Sequence, residues 1–153
     1  MQTFRTGANL CAMNVDWLPR LEKALLGRQA EIARREHDWV ITLIGGGSIA
    51  LPIPWRIVVD GRIAFANEDD GQQFGLPAPV DGEAKANGLI ASRSITDFSI
   101  DTETADLAIH FGDAVRLDTF SNSSGYEGWH INLPPENGEM SVVALGGGDI
   151  AIY

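Results

Sequence analysis

A chain of 153 residues with one cysteine, Cys11, cannot close an internal disulfide, and nothing in it points to an oxidising compartment. No apolar run approaches the roughly 18 residues of a membrane span. The opening Met1-Gln2-Thr3-Phe4-Arg5 is no signal peptide, so the expectation is a soluble cytoplasmic protein that engages no membrane. Basic residues are scarce: 11 Lys and Arg stand against 21 Asp and Glu, a net charge of −10. A field of that sign repels phosphate backbones and argues against nucleic-acid binding through a basic face. His37, His110 and His130 show no metal-ligand spacing, so neither a metal nor a cofactor is expected.

Other chemistries begin in the sequence and fail. Gly45-Gly46-Gly47-Ser48-Ile49-Ala50 and Gly146-Gly147-Gly148-Asp149-Ile150-Ala151 both satisfy G-x-G-x-x-A after an apolar strand. A pyrophosphate also needs a helix N-terminus there. The first run meets Leu51-Pro52-Ile53-Pro54 and the second has too few residues after it, so both read as turns. Asn67-Glu68-Asp69-Asp70-Gly71 resembles a calcium loop, but Ala66 stands where its first ligand belongs. Ser123-Ser124-Gly125 lacks the preceding glycine of a nucleophile elbow. No catalytic residue is singled out.

What is present is a chain 44% hydrophobic, enough for one domain over residues 1–153 with its own core. Asp16 is placed to cap a helix carrying Leu18, Leu21 and Leu25, with Pro19 in its first turn and Gly27 as its stop. Strands follow at 29–36, 39–44, 48–53, 56–59 and 62–65, the last two flanking the hairpin signal Asp60-Gly61. A loop of 15 residues, Ala66 to Val80, precedes a second helix capped by Asp81 and running to about Ala91, weakened by Gly82 and Gly88. Further strands are expected at 94–101, 107–111, 115–117, 128–133, 140–145 and 149–153. Ile109, Phe111, Val115 and Leu117 share one face only if Phe111 pairs with Val115, which makes Gly112-Asp113-Ala114 a three-residue turn. The fold class is therefore α+β, strand-rich and antiparallel, with two short helices. Residues 39–51 and 106–117 match in type, suggesting pseudo-repeats at 16–65 and 81–153 around the loop 66–80.

Charge divides unevenly. Residues 1–40 hold six basic and five acidic side chains, whereas residues 41–153 hold five and sixteen. Two segments then stand out as binding surfaces. One is the acidic loop, with Glu68, Asp69, Asp70, Gln72 and Gln73; its plain alternative is a solvated turn anchored by Phe74 and Leu76. The other spans 121–130 and brings Tyr126, Glu127, Trp129 and His130 together; its plain alternative is a loop whose Trp129, with or without Tyr126, plugs the core. Arg56 is expected to pair with Glu68, Asp69, Asp70 or Glu127, and His110 to be an exposed strand residue.

Trp55-Arg56 with Asp60-Gly61-Arg62-Ile63, the run Glu68 to Asp81, Ser123-Ser124-Gly125-Tyr126-Glu127-Gly128-Trp129 and the closing Gly146-Gly147-Gly148-Asp149-Ile150-Ala151 together resemble an uncharacterised bacterial domain-of-unknown-function family over residues 25–153. That resemblance implies no chemistry; small acidic domains of this kind suggest an immunity-like, partner-binding module. The leading expectation is a non-catalytic module that docks a basic protein through Glu68, Asp69, Asp70, Gln72, Gln73, Tyr126, Glu127, Trp129 and His130. One alternative is a small-molecule pocket or enzyme near Glu127, Trp129 and His130. Another is a homo-oligomer joined through a strand edge.

Overall fold

The computed structural model describes residues 2–5 and 17–153; the proposed cap Asp16 and the cysteine Cys11 lie outside them. In chain order the elements are β1 (Gln2–Arg5), α1 (Trp17–Leu25), β2 (Ala30–Arg34), β3 (Trp39–Leu43), β4 (Ser48–Leu51), β5 (Trp55–Val59) and β6 (Arg62–Ala66), then α2 (Gly82–Ile90). The second half continues with β7 (Asp97–Ile100), β8 (Leu107–His110), β9 (Val115–Thr119), β10 (His130–Leu133), β11 (Met140–Ala144) and β12 (Asp149–Ile152). The fold is α+β and strand-rich, with every strand pair antiparallel.

Local chemistry explains the turns. Asp60 and Gly61 both adopt positive φ (50° and 79°), the backbone of a type I′ hairpin whose twist matches its flanking strands. Phe111 N–H donates to the Val115 carbonyl at 2.8 Å, which closes the three-residue turn that the alternation demanded. Trp17, Leu21, Ala24 and Leu25 form the buried stripe of α1 at helical spacing. Asp81 caps α2 by accepting from Ala84 N–H at 3.2 Å. Gly82 does more than weaken that helix: a Cβ there would sit 2.7 Å from the Asp70 carboxylate and 2.9 Å from the Phe65 ring.

The strands form a seven-stranded sheet, β1-β12-β11-β10-β4-β3-β2, and a five-stranded sheet, β6-β5-β9-β8-β7. Exchange the succession β2–β6 with β7–β11 and the order β11-β10-β4-β3-β2 becomes β6-β5-β9-β8-β7. Each half thus starts in one sheet, crosses after its third strand, and finishes in the other. The central pairings, β4 with β10 and β5 with β9, join the halves.

The alternate residues that face inward from both sheets share one core with the apolar stripes of the helices. At its heart Trp39, Trp55 and Phe65 meet with ring centroids 5.1–6.4 Å apart, the first pair edge to face at 78°. Buried Thr119 is satisfied by both backbone groups of Leu107, at 2.9 and 3.0 Å. The edge strand β2 is closed by α2. Asn87 accepts from Ile32 N–H and donates to its carbonyl, each at 2.8 Å, and Glu83 accepts from Arg34 N–H at 2.8 Å. Side chains there take the place of a further strand.

Candidate functional site

The acidic segment begins where β6 ends in a short 3-10 turn, Asn67–Asp69. Its side chains turn inward to hold backbone. Asn67 accepts from Trp55 N–H at 2.9 Å, and Asp69 accepts from Ala66 N–H at 3.0 Å. Asp70 accepts from Gly82 N–H at 2.9 Å with one oxygen and pairs with the Arg34 guanidinium through the other. That hydrogen bond, with the Asp70 charge beside it, holds Arg34 above its already high ordinary pKa. Asp69 and Asp70 are thus fixed, half-buried carboxylates, and only Glu68 of the three acids is fully on the surface. Glu68 lines a shallow cavity of ≈ 370 Å³ with Arg34, Arg35, Trp39 and Pro52.

Beyond Asp70 the chain leaves the body. Residues 71–79 are all exposed, Gln72 and Gln73 among them. Two backbone bonds close the base, Gly71 N–H to Val80 O at 2.9 Å and Val80 N–H to Gln72 O at 2.8 Å. A third bond, from Gln73 Nε2 to Leu76 O at 2.9 Å, shapes the tip. Phe74 and Leu76 are not buried anchors, as the plain reading expected: they are 69% and 48% exposed. Phe74 also holds φ at +44°, a left-handed conformation unfavourable for a bulky side chain. A loop closed on itself, with no core contact beneath its apolar tip, turns that tip outward.

The 121–130 segment is built the opposite way. Gly128 N–H donates to Ala144 O at 2.7 Å, Gly147 N–H to Ser123 O at 3.0 Å, and Ser121 N–H to Asp106 at 2.7 Å. Gly125 packs so tightly on Gly146 that a Cβ on the latter would lie 2.5 Å from its backbone. Trp129 leaves the set of partner-binding residues. It is fully buried, and its indole N–H donates to Ala105 O at 2.7 Å, because β10 starts one residue later and turns its side chain inward. Tyr126 stays outside at 85% exposure, above a turn in which Ser123 Oγ accepts from the N–H groups of Gly125 and Tyr126. Glu127 and His130 meet at 3.0 Å on the surface, and neither lines the cavity beside Glu68.

Arg56 pairs with none of its four expected acids. Asp118 lies directly opposite on β9 and takes it at 3.2 Å, while also holding Arg116 at 3.0 Å. Cross-strand register fixed the partner, and the acidic loop found Arg34 instead. His110 sits half-exposed on the same outer face of β8, in register with Arg116. No hydrogen bond, ion pair or ring contact joins the 68–79 and 122–130 segments, so the predicted residues form two patches among the described residues rather than one. The exposed apolar tip at Phe74 and Leu76 was the part missed; Gly75 and the two prolines around it were the available signal of a turn that leaves the core.

Among the described residues no group of three or more His, Cys, Asp or Glu side chains is placed to hold a metal ion. No helix among them is long and apolar enough to cross a membrane. The chain matches no protein-family model, no curated protein and no solved structure.

Proposed function

We propose that this protein is a non-catalytic binding module that docks a basic protein, with the 71–79 loop as its contact element. One observation carries the reading: a large apolar side chain, Phe74, is held at positive φ on the tip of a closed loop, with Leu76 beside it and no core under either. Strain kept at an exposed position, and paid for by the hydrogen bonds at the loop base, supports a role outside the folded chain. Aromatic anchors inserted into a partner's pocket supply most of the affinity in such contacts.

The charge around the anchor supports a basic partner. Glu68, Asp69, Asp70, Asp81 and Glu83 flank the loop, and no basic residue lies between Ala66 and Ala84. Arg34 is the one cation in an ion pair with them among the described residues. Five carboxylates against Arg34, Arg35 and Lys85 leave an acidic excess that steers a basic surface toward Phe74 and raises the rate of encounter.

The test places a photo-reactive phenylalanine at position 74, and separately at position 126, in host lysate. A single basic protein crosslinked from position 74 is then purified and titrated against the wild-type protein and Phe74→Asp at low and high salt. The expected result is an affinity that falls at least tenfold in the variant and declines with salt. Equal crosslinking from both positions, or a purified complex indifferent to Phe74→Asp, overturns the reading.

A further inference from the structure

One cleft in this acidic protein carries three cations and a single carboxylate in its walls. Between α1 and the short turn Pro135–Asn137 lies a cavity of ≈ 330 Å³. Arg20, Lys23 and Arg28 face it from the helix side, with Glu136, Asn137 and Gly138 across from them. Helical spacing produces the first wall, since positions 20, 23 and 24 fall on one side of α1 and Arg28 follows just beyond its end. Buried Ala24 forms the low point between the longer side chains.

Three features separate this cleft from an ordinary charged surface. First, among the described residues none of the three cations pairs with a carboxylate, although acids outnumber bases by about two to one in the chain. Arg20 donates to the carbonyls of Gly138 and Glu139, and Arg28 to Ile44 O at 3.3 Å. Lys23 makes no hydrogen bond or ion pair among the described residues. Second, glycines make room for both guanidiniums. A Cβ on Gly45 would lie 2.1 Å from Arg28 Nη1, and one on Gly138 would lie 3.1 Å from Arg20 Nη2. Third, the side-chain Nδ2 of Asn137 is buried with no hydrogen-bond partner. That donor is left without an acceptor on a residue that lines the cleft.

We infer that this cleft binds a small organic phosphate monoester. Among the side chains that line the cleft, three cations stand against one carboxylate, an excess of two positive charges that matches the charge of about −2 on a monoester near neutral pH and exceeds that of one carboxylate. Guanidinium groups already oriented by backbone carbonyls suit phosphate oxygens, and the Asn137 amide supplies a neutral donor. The volume is at the small end of ligand pockets and exceeds what a bare phosphate fills. Glu136 repels a second anionic group and accepts from a hydroxyl, which selects a hydroxylated monoester over a polyphosphate. The site is independent of the 71–79 loop.

Amide chemical-shift titrations on the intact protein test this, with glucose 6-phosphate as the probe and glucose, inorganic phosphate and pyrophosphate as comparison arms. Saturable shifts are expected in residues 20–28 and 134–139 with glucose 6-phosphate, weaker ones with either inorganic anion, and none with glucose. Lys23→Glu is expected to weaken binding at least tenfold and Asn137→Ala several-fold, while Phe74→Asp changes nothing. Lys23 is exposed and unpaired, so its substitution leaves the fold intact, as a thermal melt will verify. Inorganic phosphate or pyrophosphate binding as tightly as the monoester overturns the ligand class. Absence of saturation, or binding indifferent to Lys23→Glu, overturns the site.

Discussion

The 71–79 loop and the 121–130 loop have much the same length, yet they are held by opposite means. The first is tied only at its base, and everything beyond Gly71 is exposed until Val80. The second is joined backbone to backbone with the 144–147 segment and by side-chain hydrogen bonds to Ala105 and Asp106, and it buries a tryptophan at its end. What pins the second is the turn that faces it at residues 144–147. Glycines at 146 and 148 let two stretches of backbone approach closely, whereas Gly71 and Gly75 face open space. A loop of the first kind can change its tip without cost to the fold, and a loop of the second kind cannot.

Substituting one glycine in each region breaks the comparison most forcefully. A Cβ at Gly146 meets the backbone of Gly125 at 2.5 Å, so Gly146→Ala is expected to destabilise the protein by about 3 kcal/mol in urea unfolding. Gly75→Ala carries only its left-handed backbone, a penalty of about 1–2 kcal/mol with no clash. Equal losses in the two variants would mean that the second loop is not pinned by its neighbours. Phe74→Gly sharpens the contrast from the other side. It removes an exposed ring and relieves the +44° backbone, so stability is expected to hold or rise by up to about 1 kcal/mol in the same assay, against the usual penalty for an added glycine.

The smallest effect is a pH dependence. Asp101 accepts from the N–H groups of Glu103 and Thr104 at 2.8 and 2.9 Å, and these bonds hold its carboxyl below the ordinary value near 3.8. Because the folded value is the lower one, its stabilisation is complete well above pH 3.8 and is lost as the pH falls through the folded value. Asp101→Ala is therefore expected to melt earlier than wild type at pH 7, with the gap closing below about pH 3.8. A gap that persists into acid would show that the carboxylate's charge is not what holds the 103–104 turn.

Much of the fold was legible because it follows from local rules. Asp60-Gly61 specifies its hairpin, Asp81 its helix, and the shared face of Ile109, Phe111, Val115 and Leu117 specifies a register. The likeness of 39–51 to 106–117 corresponds to β3-β4 and β8-β9, which hold equivalent places in the two sheets. The sites were less legible because they depend on what faces what. Asp118 is four strands further along the chain and 62 residues from Arg56, and only cross-strand register puts it there. Trp129 reads equally as anchor or core until Ala105 O is seen to receive its N–H. The cationic cleft joins residues 20–28 to 136–138, and its one trace in the sequence is the basic balance of the first forty residues.

The interleaved sheets bear on what happens if the chain is cut. His130 pairs with Ala50, and Arg56 with Asp118, so each half supplies strands that the other half's sheet requires. A protease acting on the 71–79 loop would sever the backbone without removing one ladder bond. The two fragments should stay together as a nicked protein, and neither alone could cover the apolar faces of β4, β5, β9 and β10. The molecule is thus a natural candidate for reassembly from two separately made pieces, and the dispensable junction is the same loop that carries Phe74.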